Sequence, residues 1–148
     1  MTRLDELTAI LAETDSLGIV CHDNPDPDSI ASALALELLA SAWDVSEVEI
    51  VYDGSLTHQQ NRAFVNLLDL DLQNLDDVDL DAFDRIAFVD HSVPGVNNSV
   101  PVGTRVDIVI DHHDYPDPLD ANYEDVRVNC GATSSILVGY LEESDVEI

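Results

Sequence analysis

His22, Asp23, Asp26 and Asp28 crowd into the segment HDNPDPD (22–28), between an apolar run and a stretch with helical periodicity. One or two acids at a helix start need no special reason, because the positive end of the helix dipole favours them. The plainer alternative for Asp26 or Asp28, taken singly, is a helix cap. Three aspartates beside an imidazole are different, since like charges at close range repel unless a cation compensates them. Two more groups of the same composition follow, Asp90-His91-Ser92 and Asp111-His112-His113-Asp114, so that four of the 5 histidines lie in three short segments. Carboxylates mixed with imidazoles suit divalent manganese, iron, zinc or magnesium, and an oxygen-rich set leans to manganese, with magnesium as the alternative. Two such ions about 3.5–4 Å apart can clamp phosphoryl oxygens and activate water for in-line attack.

Residues so far apart need a scaffold that gathers them. LGIVC (17–21), EVEIVY (47–52), RIAFVD (85–90) and RVDIVID (105–111) are short Val/Ile-rich runs, the pattern of strands buried on both faces of a parallel sheet. Helical periodicity spans 4–13, 28–42, 58–68 and 130–143. This alternation predicts an α/β fold, a largely parallel sheet flanked by helices in a three-layer α/β/α arrangement. The segment 69–83 reads as an acidic connector, 92–103 as a surface loop and 112–129 as irregular chain. Each acid and histidine group follows a predicted strand, and in an open parallel sheet the carboxyl ends of the strands share one edge, where ligands bind.

The 148 residues suit one domain with no second one, and 45% hydrophobic residues suffice for a core. Against 31 acidic residues stand 5 basic ones, all arginine, for a formal charge of −26. Such a surface repels itself at low ionic strength and is relieved at about 1 M salt, where the Debye length is roughly 3 Å. A halophilic cytoplasmic protein is the reading of that balance, and the charge then reports habitat more than substrate. Asp5, Glu6 and Glu13 interrupt any signal-peptide core, and Glu37 breaks the apolar stretch around 30–43, so the expectation is a soluble protein with no membrane partner. Cys21 and Cys130 sit among small or apolar residues and read as reduced thiols. An unpaired sheet edge would favour a homodimer. The like charge opposes it.

In order and spacing, His22-Asp23-Asn24-Pro25-Asp26-Pro27-Asp28-Ser29, Asp90 and Asp111-His112-His113 resemble the motifs of the DHH phosphoesterases, a family with RecJ-like and oligoribonuclease-like members, and GATSSIL (131–137) resembles a helix start of that family. The resemblance implies that His22, Asp26 and Asp90 hold one ion and that Asp28, the bridging Asp90 and His112 hold a second. It further implies that His113 contacts the substrate phosphate and that Asp111 orients a histidine from behind the ligands. Family members carry a further metal-binding aspartate on a later strand and a smaller C-terminal domain; Asp145 stands too close to the last helix for that ligand, so the chain is expected to be an incomplete DHH domain.

The implied substrate is a nucleotide, a short single-stranded nucleic acid or another small phosphorylated molecule. The chain has no Gly-rich phosphate loop and no basic, aromatic-interleaved patch, which argues for a small substrate. The rival reading is a catalytically incomplete module that keeps the fold and binds a nucleotide or one metal. Among the remaining marked residues, His58 reads as a solvated helix-start residue and Arg62 as one half of a surface ion pair. His91 stands near enough to Asp90 to support a ligand from behind, while Asp114, Tyr115, Asp117 and Asp120 belong to a solvated loop.

Overall fold

The computed structural model describes residues 3–23, 25–53, 72–96, 98–114 and 121–146. The expected helix 58–68, with His58 and Arg62, lies outside these residues, as do Asn24, Tyr115, Asp117 and Asp120. Six strands form one parallel sheet in the order β3-β2-β1-β4-β5-β6. They are β1 (Ser16–Val20), β2 (Glu47–Tyr52), β3 (Leu72–Asn74), β4 (Arg85–Val89), β5 (Ile108–Asp111) and β6 (Tyr123–Val126). Three helices accompany them, α1 (Arg3–Ala12), α2 (Pro27–Ala42) and α3 (Thr133–Glu143).

The period of two in each strand sorts the core into two faces. Leu17, Ile19, Ala87, Val89, Ile108 and Ile110 pack with the buried sides of all three helices. Val20, Val51, Ile86, Phe88 and Val109 point to the opposite face, joined there by Phe83, Val100 and Val106. The α/β fold with its three layers is therefore as expected, but the outer layers are unequal. One holds the three α-helices; among the described residues the other is made of two 3₁₀ turns, Leu75–Asp77 and Leu80–Ala82, and the chain leading into β5. Gly18 makes the second layer fit, because a Cβ there would stand 2.9 Å from the Phe83 ring.

Two irregular segments turn out to hold strands. The acidic connector 69–83 contains β3 and both 3₁₀ turns, and the stretch 112–129 contains β6. Both are edge strands of three or four residues, and neither carries a Val/Ile run. An edge strand is stabilised mainly by pairing with its one neighbour, so its composition need not advertise it. β5 and α3 also start later than their apolar patterns, at Ile108 and Thr133.

The strand order places the site. From β1 the chain winds outward through β2 to β3, then returns to the other side of β1 to continue through β4, β5 and β6. The winding reverses between β1 and β4, and the crevice beyond the carboxyl ends of those two strands is where ligands enter such sheets. His22 follows β1, and Asp90 follows β4.

Candidate metal centre

Asp90 occupies the middle of this crevice with only 2% of its surface exposed. Its backbone is left-handed, φ 66°. Asp44 and Asp145 share that conformation just past the ends of α2 and α3, where helices commonly terminate in it. At the end of a strand it is unusual and costs about 1 kcal/mol or more, a type of strain that concentrates at functional sites. The turn presents the two carboxylate oxygens to different partners. Oδ2 lies 3.2 Å from His22 Nε2, and Oδ1 lies 3.2 Å from His112 Nε2.

Both imidazoles are held from behind. His22 Nδ1 is 2.9 Å from the Asp23 carbonyl and His112 Nδ1 is 3.3 Å from the Cys130 carbonyl. A carbonyl only accepts, so each Nδ1 carries the proton and each Nε2 turns toward the carboxylates, leaving a lone pair there when the ring is neutral. This is the arrangement usual for metal-binding histidines, with the second nitrogen anchored on an acceptor. His113 differs: its Nδ1 donates to Asp111 Oδ1 at 2.7 Å, and its half-exposed ring projects beside Asp90. Asp111 is fully buried and accepts at the same oxygen from the His112 and His113 amides, while its Oδ2 accepts from Ser92 Oγ. Asp111 thus holds His113 and the turn that carries it.

Asp26 and Asp28 both cap helices, and each stands near a histidine. Asp26 caps α2, accepting from the Ser29 amide at 2.9 Å, and the same oxygen lies 3.9 Å from His22 Nε2. Asp28 caps a different helix: Oδ1 accepts from the Ser134 amide at 2.9 Å and Oδ2 from the Thr133 amide at 3.1 Å, with Oδ2 also 3.8 Å from His112 Nε2. The capping reading and the ligand reading of these aspartates are compatible. One oxygen each from Asp26 and Asp90 and a nitrogen of His22 lie within 4.8 Å of one another, as do ligand atoms of Asp90, His112 and His113.

The charge balance follows from burial and these contacts. Burial works against a charge on His22, but Asp90, the Asp23 carbonyl and Asp26 outweigh it and raise the pKa to about 9. The ring takes up a proton when no other cation is present. Burial would raise the Asp28 pKa, yet Ser134, the Thr133 amide and His112 bring it below the usual carboxylate range. No arginine helps. Arg85 and Arg105 pair with Asp107, and Arg3 and Arg127 with Asp125, which accounts for all the described arginines. The donor set therefore fits a divalent cation, being oxygen-rich, imidazole-flanked and, among the described residues, without an arginine of its own.

His91 lies in the core, and its hydrogen bonds hold no candidate ligand from behind. It is fully buried, stacked on Phe88 at 4.0 Å, donates from Nε2 to the Val20 carbonyl and accepts at Nδ1 from Asn98. Burial pushes its pKa down to about 4, so it is neutral and ties the 93–100 loop to β1. Asn98, which carried no signal in the sequence, also donates to Val93 and Val96 carbonyls and accepts from the Gly95 and Val100 amides. Thr133 was missed as a site residue, although it stands inside the GATSSIL segment; its hydroxyl donates to Asp90 Oδ1 at 2.9 Å. Both cysteines are free thiols, and burial raises the Cys21 pKa to about 12. Asp145 lies at the far end of α3 from Thr133, about 15 Å along the helix at 1.5 Å per residue.

No helix among the described residues is long and apolar enough to cross a membrane. An uncharacterized protein of Methanocaldococcus jannaschii is 46% identical over 130 residues, covering 87% of this chain and 26% of that protein. The chain thus spans about a quarter of the length of this curated relative. The structure also resembles an exopolyphosphatase-related protein from Bacteroides fragilis, with a TM-score of 0.70 and 21% identity, over 98% of this chain and 45% of that one. That likeness speaks for the fold. Residues 16–147 match the model of the DHH family, N-terminal domain, and this chain belongs to that family.

Proposed function

We propose that the protein is a metal-dependent phosphoesterase acting on a nucleotide, a short single-stranded nucleic acid or another small phosphorylated substrate. The observation that carries this reading is the Asp90 carboxylate, buried between two imidazoles whose nitrogens face it at 3.2 Å, with no arginine among the described residues to balance it. Membership of the DHH family supports it. His22, Asp26 and Asp90 are the residues that would hold one ion; Asp28, Asp90 and His112 would hold a second, with Asp90 between them. Bound there, divalent manganese or magnesium supplies Lewis acidity toward phosphoryl oxygens and lowers the pKa of water into the neutral range.

The side chains do the positioning. The left-handed turn at Asp90 and the carbonyls behind His22 and His112 aim the donors into one crevice. His113, steadied by Asp111 and half exposed, is placed to donate a hydrogen bond to a non-bridging phosphoryl oxygen as charge develops there. Asp111 keeps the proton on Nδ1 of a neutral His113, so donation toward the phosphate requires a ring that carries a proton on both nitrogens. Whole-protein activity, and any contribution from chain beyond these residues in longer relatives, belong to the same proposal.

Hydrolysis of a chromogenic phosphodiester in high salt, with manganese and with a chelator, tests the reading. Manganese-dependent turnover that falls about 10²-fold or more in His113→Ala is the expected result, the size typical of losing one transition-state donor. Manganese binding without turnover in this chain and in a longer relative would instead favour the non-catalytic module.

A further inference from the structure

α3 begins without a cap of its own. Ala132 precedes it and offers no side-chain hydrogen bond, so the first amides of the helix need acceptors from elsewhere. Asp28 supplies them across 105 residues of sequence to Thr133 and across 106 to Ser134. Thr133 is fully buried and makes a second contact in the opposite direction, its hydroxyl donating to Asp90 Oδ1 at 2.9 Å. One residue thus holds two carboxylates, one through its backbone and one through its side chain. The oxygens it holds, Asp28 Oδ2 and Asp90 Oδ1, are also the ones near His112 Nε2, at 3.8 and 3.2 Å.

We propose that Thr133 is the positioning residue of the Asp28–Asp90–His112 side of the metal centre, fixing the spacing of its two carboxylates by anchoring both to the first turn of α3. The inference rests on the reading of this crevice as a metal centre and adds the residue that sets its geometry. A carboxylate oxygen has a second lone pair, so accepting from Thr133 leaves Asp28 Oδ2 and Asp90 Oδ1 able to bind a cation. Without the hydroxyl, nothing in this turn opposes rotation of the Asp90 carboxylate toward His22. The Asp28 contact, made by the backbone, remains.

The test is manganese binding by this chain, followed through the resonance signal of the free ion at neutral pH in high salt. Thr133→Val removes only the hydroxyl while keeping the side-chain shape, and Thr133→Ser restores a donor. Thr133→Val should weaken the ion on the His112 side by about 10- to 100-fold, the usual effect of losing a partner behind the ligands. The ion on the His22 side should weaken less, the two being told apart in His22→Ala and His112→Ala backgrounds. Thr133→Ser should bind like the parent. Thr133→Ala, which also keeps the amide, should show the same loss if valine disturbs α3. Unchanged affinity in Thr133→Val and Thr133→Ala, or equal loss in Thr133→Ser, overturns the proposal. So does a parent chain that holds a single ion unaffected by His112→Ala, a result that spares the wider metal reading. A parent chain that binds no manganese overturns both.

Discussion

Two carboxylates that are almost completely removed from water are treated in opposite ways. Asp125, on edge strand β6, is 0% exposed and its Oδ1 accepts from Arg3 at 2.8 Å, while Arg127 grips both of its oxygens at 2.8 and 2.9 Å. The Tyr140 hydroxyl completes the set and is joined to that of Tyr123. Asp90 is 2% exposed and has imidazoles and one threonine hydroxyl around it. At the edge the protein brings its own cations, although it has only 5 basic residues to place. In the central crevice no described arginine pairs with Asp90, and the cation beside it is the His22 ring, whose pKa is raised to about 9. A buried carboxylate without a permanent cation is costly, so the contrast is between an acid clamped by arginines and one faced by imidazoles.

Exchanging charge for a neutral amide should separate the two regions. The largest effect is expected for Asp90→Asn, which tolerates the same left-handed backbone but should lower manganese affinity by about 10²-fold or more, beyond the 10- to 100-fold loss seen when only a group behind the ligands is removed. Its metal-free stability should change by no more than about 1 kcal/mol, the size of a typical hydrogen bond. Calorimetric titration and denaturant unfolding of the same sample measure the pair. Asp125→Asn should do the reverse, costing about 2–4 kcal/mol of stability, a little under the value for fully buried pairs because the arginine heads are partly hydrated, while leaving manganese affinity intact. A change in metal binding there would erase the distinction.

Acid titration sharpens it. Burial would raise the Asp125 pKa, but Arg127, Tyr140 and Arg3 outweigh it and bring it below the ordinary carboxylate range. A folded-state pKa below the unfolded one means that this contribution is complete above the unfolded value of about 3.9 and is lost as the pH falls through the lower folded value. The parent should therefore lose stability relative to Asp125→Asn only below about pH 4, a difference to be read from unfolding midpoints across that range. The smallest effect is expected at the residue that joins both roles: Asp28→Ala should cost the metal-free protein about 1 kcal/mol through the lost cap on α3, measured by thermal unfolding.

Much of this could be read along the chain, and the misses share a cause. Val/Ile runs announced β1, β2, β4 and β5 because buried parallel strands must be apolar on both faces. The edge strands escaped notice. β6 reads YEDV inside the stretch read as irregular chain, and nothing in it marks Asp125 as buried, because two of its partners, Arg3 and Tyr140, lie 122 and 15 residues away. Asp26 and Asp28 were rightly ambiguous between cap and site, since the structure uses both for capping within reach of a histidine. His91 was ambiguous for a different reason. Its neighbour Asp90 faces the crevice, but the left-handed turn at Asp90 sends the chain elsewhere, and His91 ends up stacked on Phe88.

From residue types and order alone came the parallel α/β fold, the gathering of three acid and histidine groups at one edge, and the family; these depend on local periodicity and on the shared direction of parallel strands. Tertiary structure alone decided which buried aspartates receive arginines, why Asp28 caps α3 and not α2, and that Thr133 ties Asp28 to Asp90. Apart from the local Arg105–Asp107 and Arg127–Asp125 pairs, those outcomes join distant segments. Their strength depends on separations of a few ångströms that no single segment encodes, because only the packed sheet brings the partners into range.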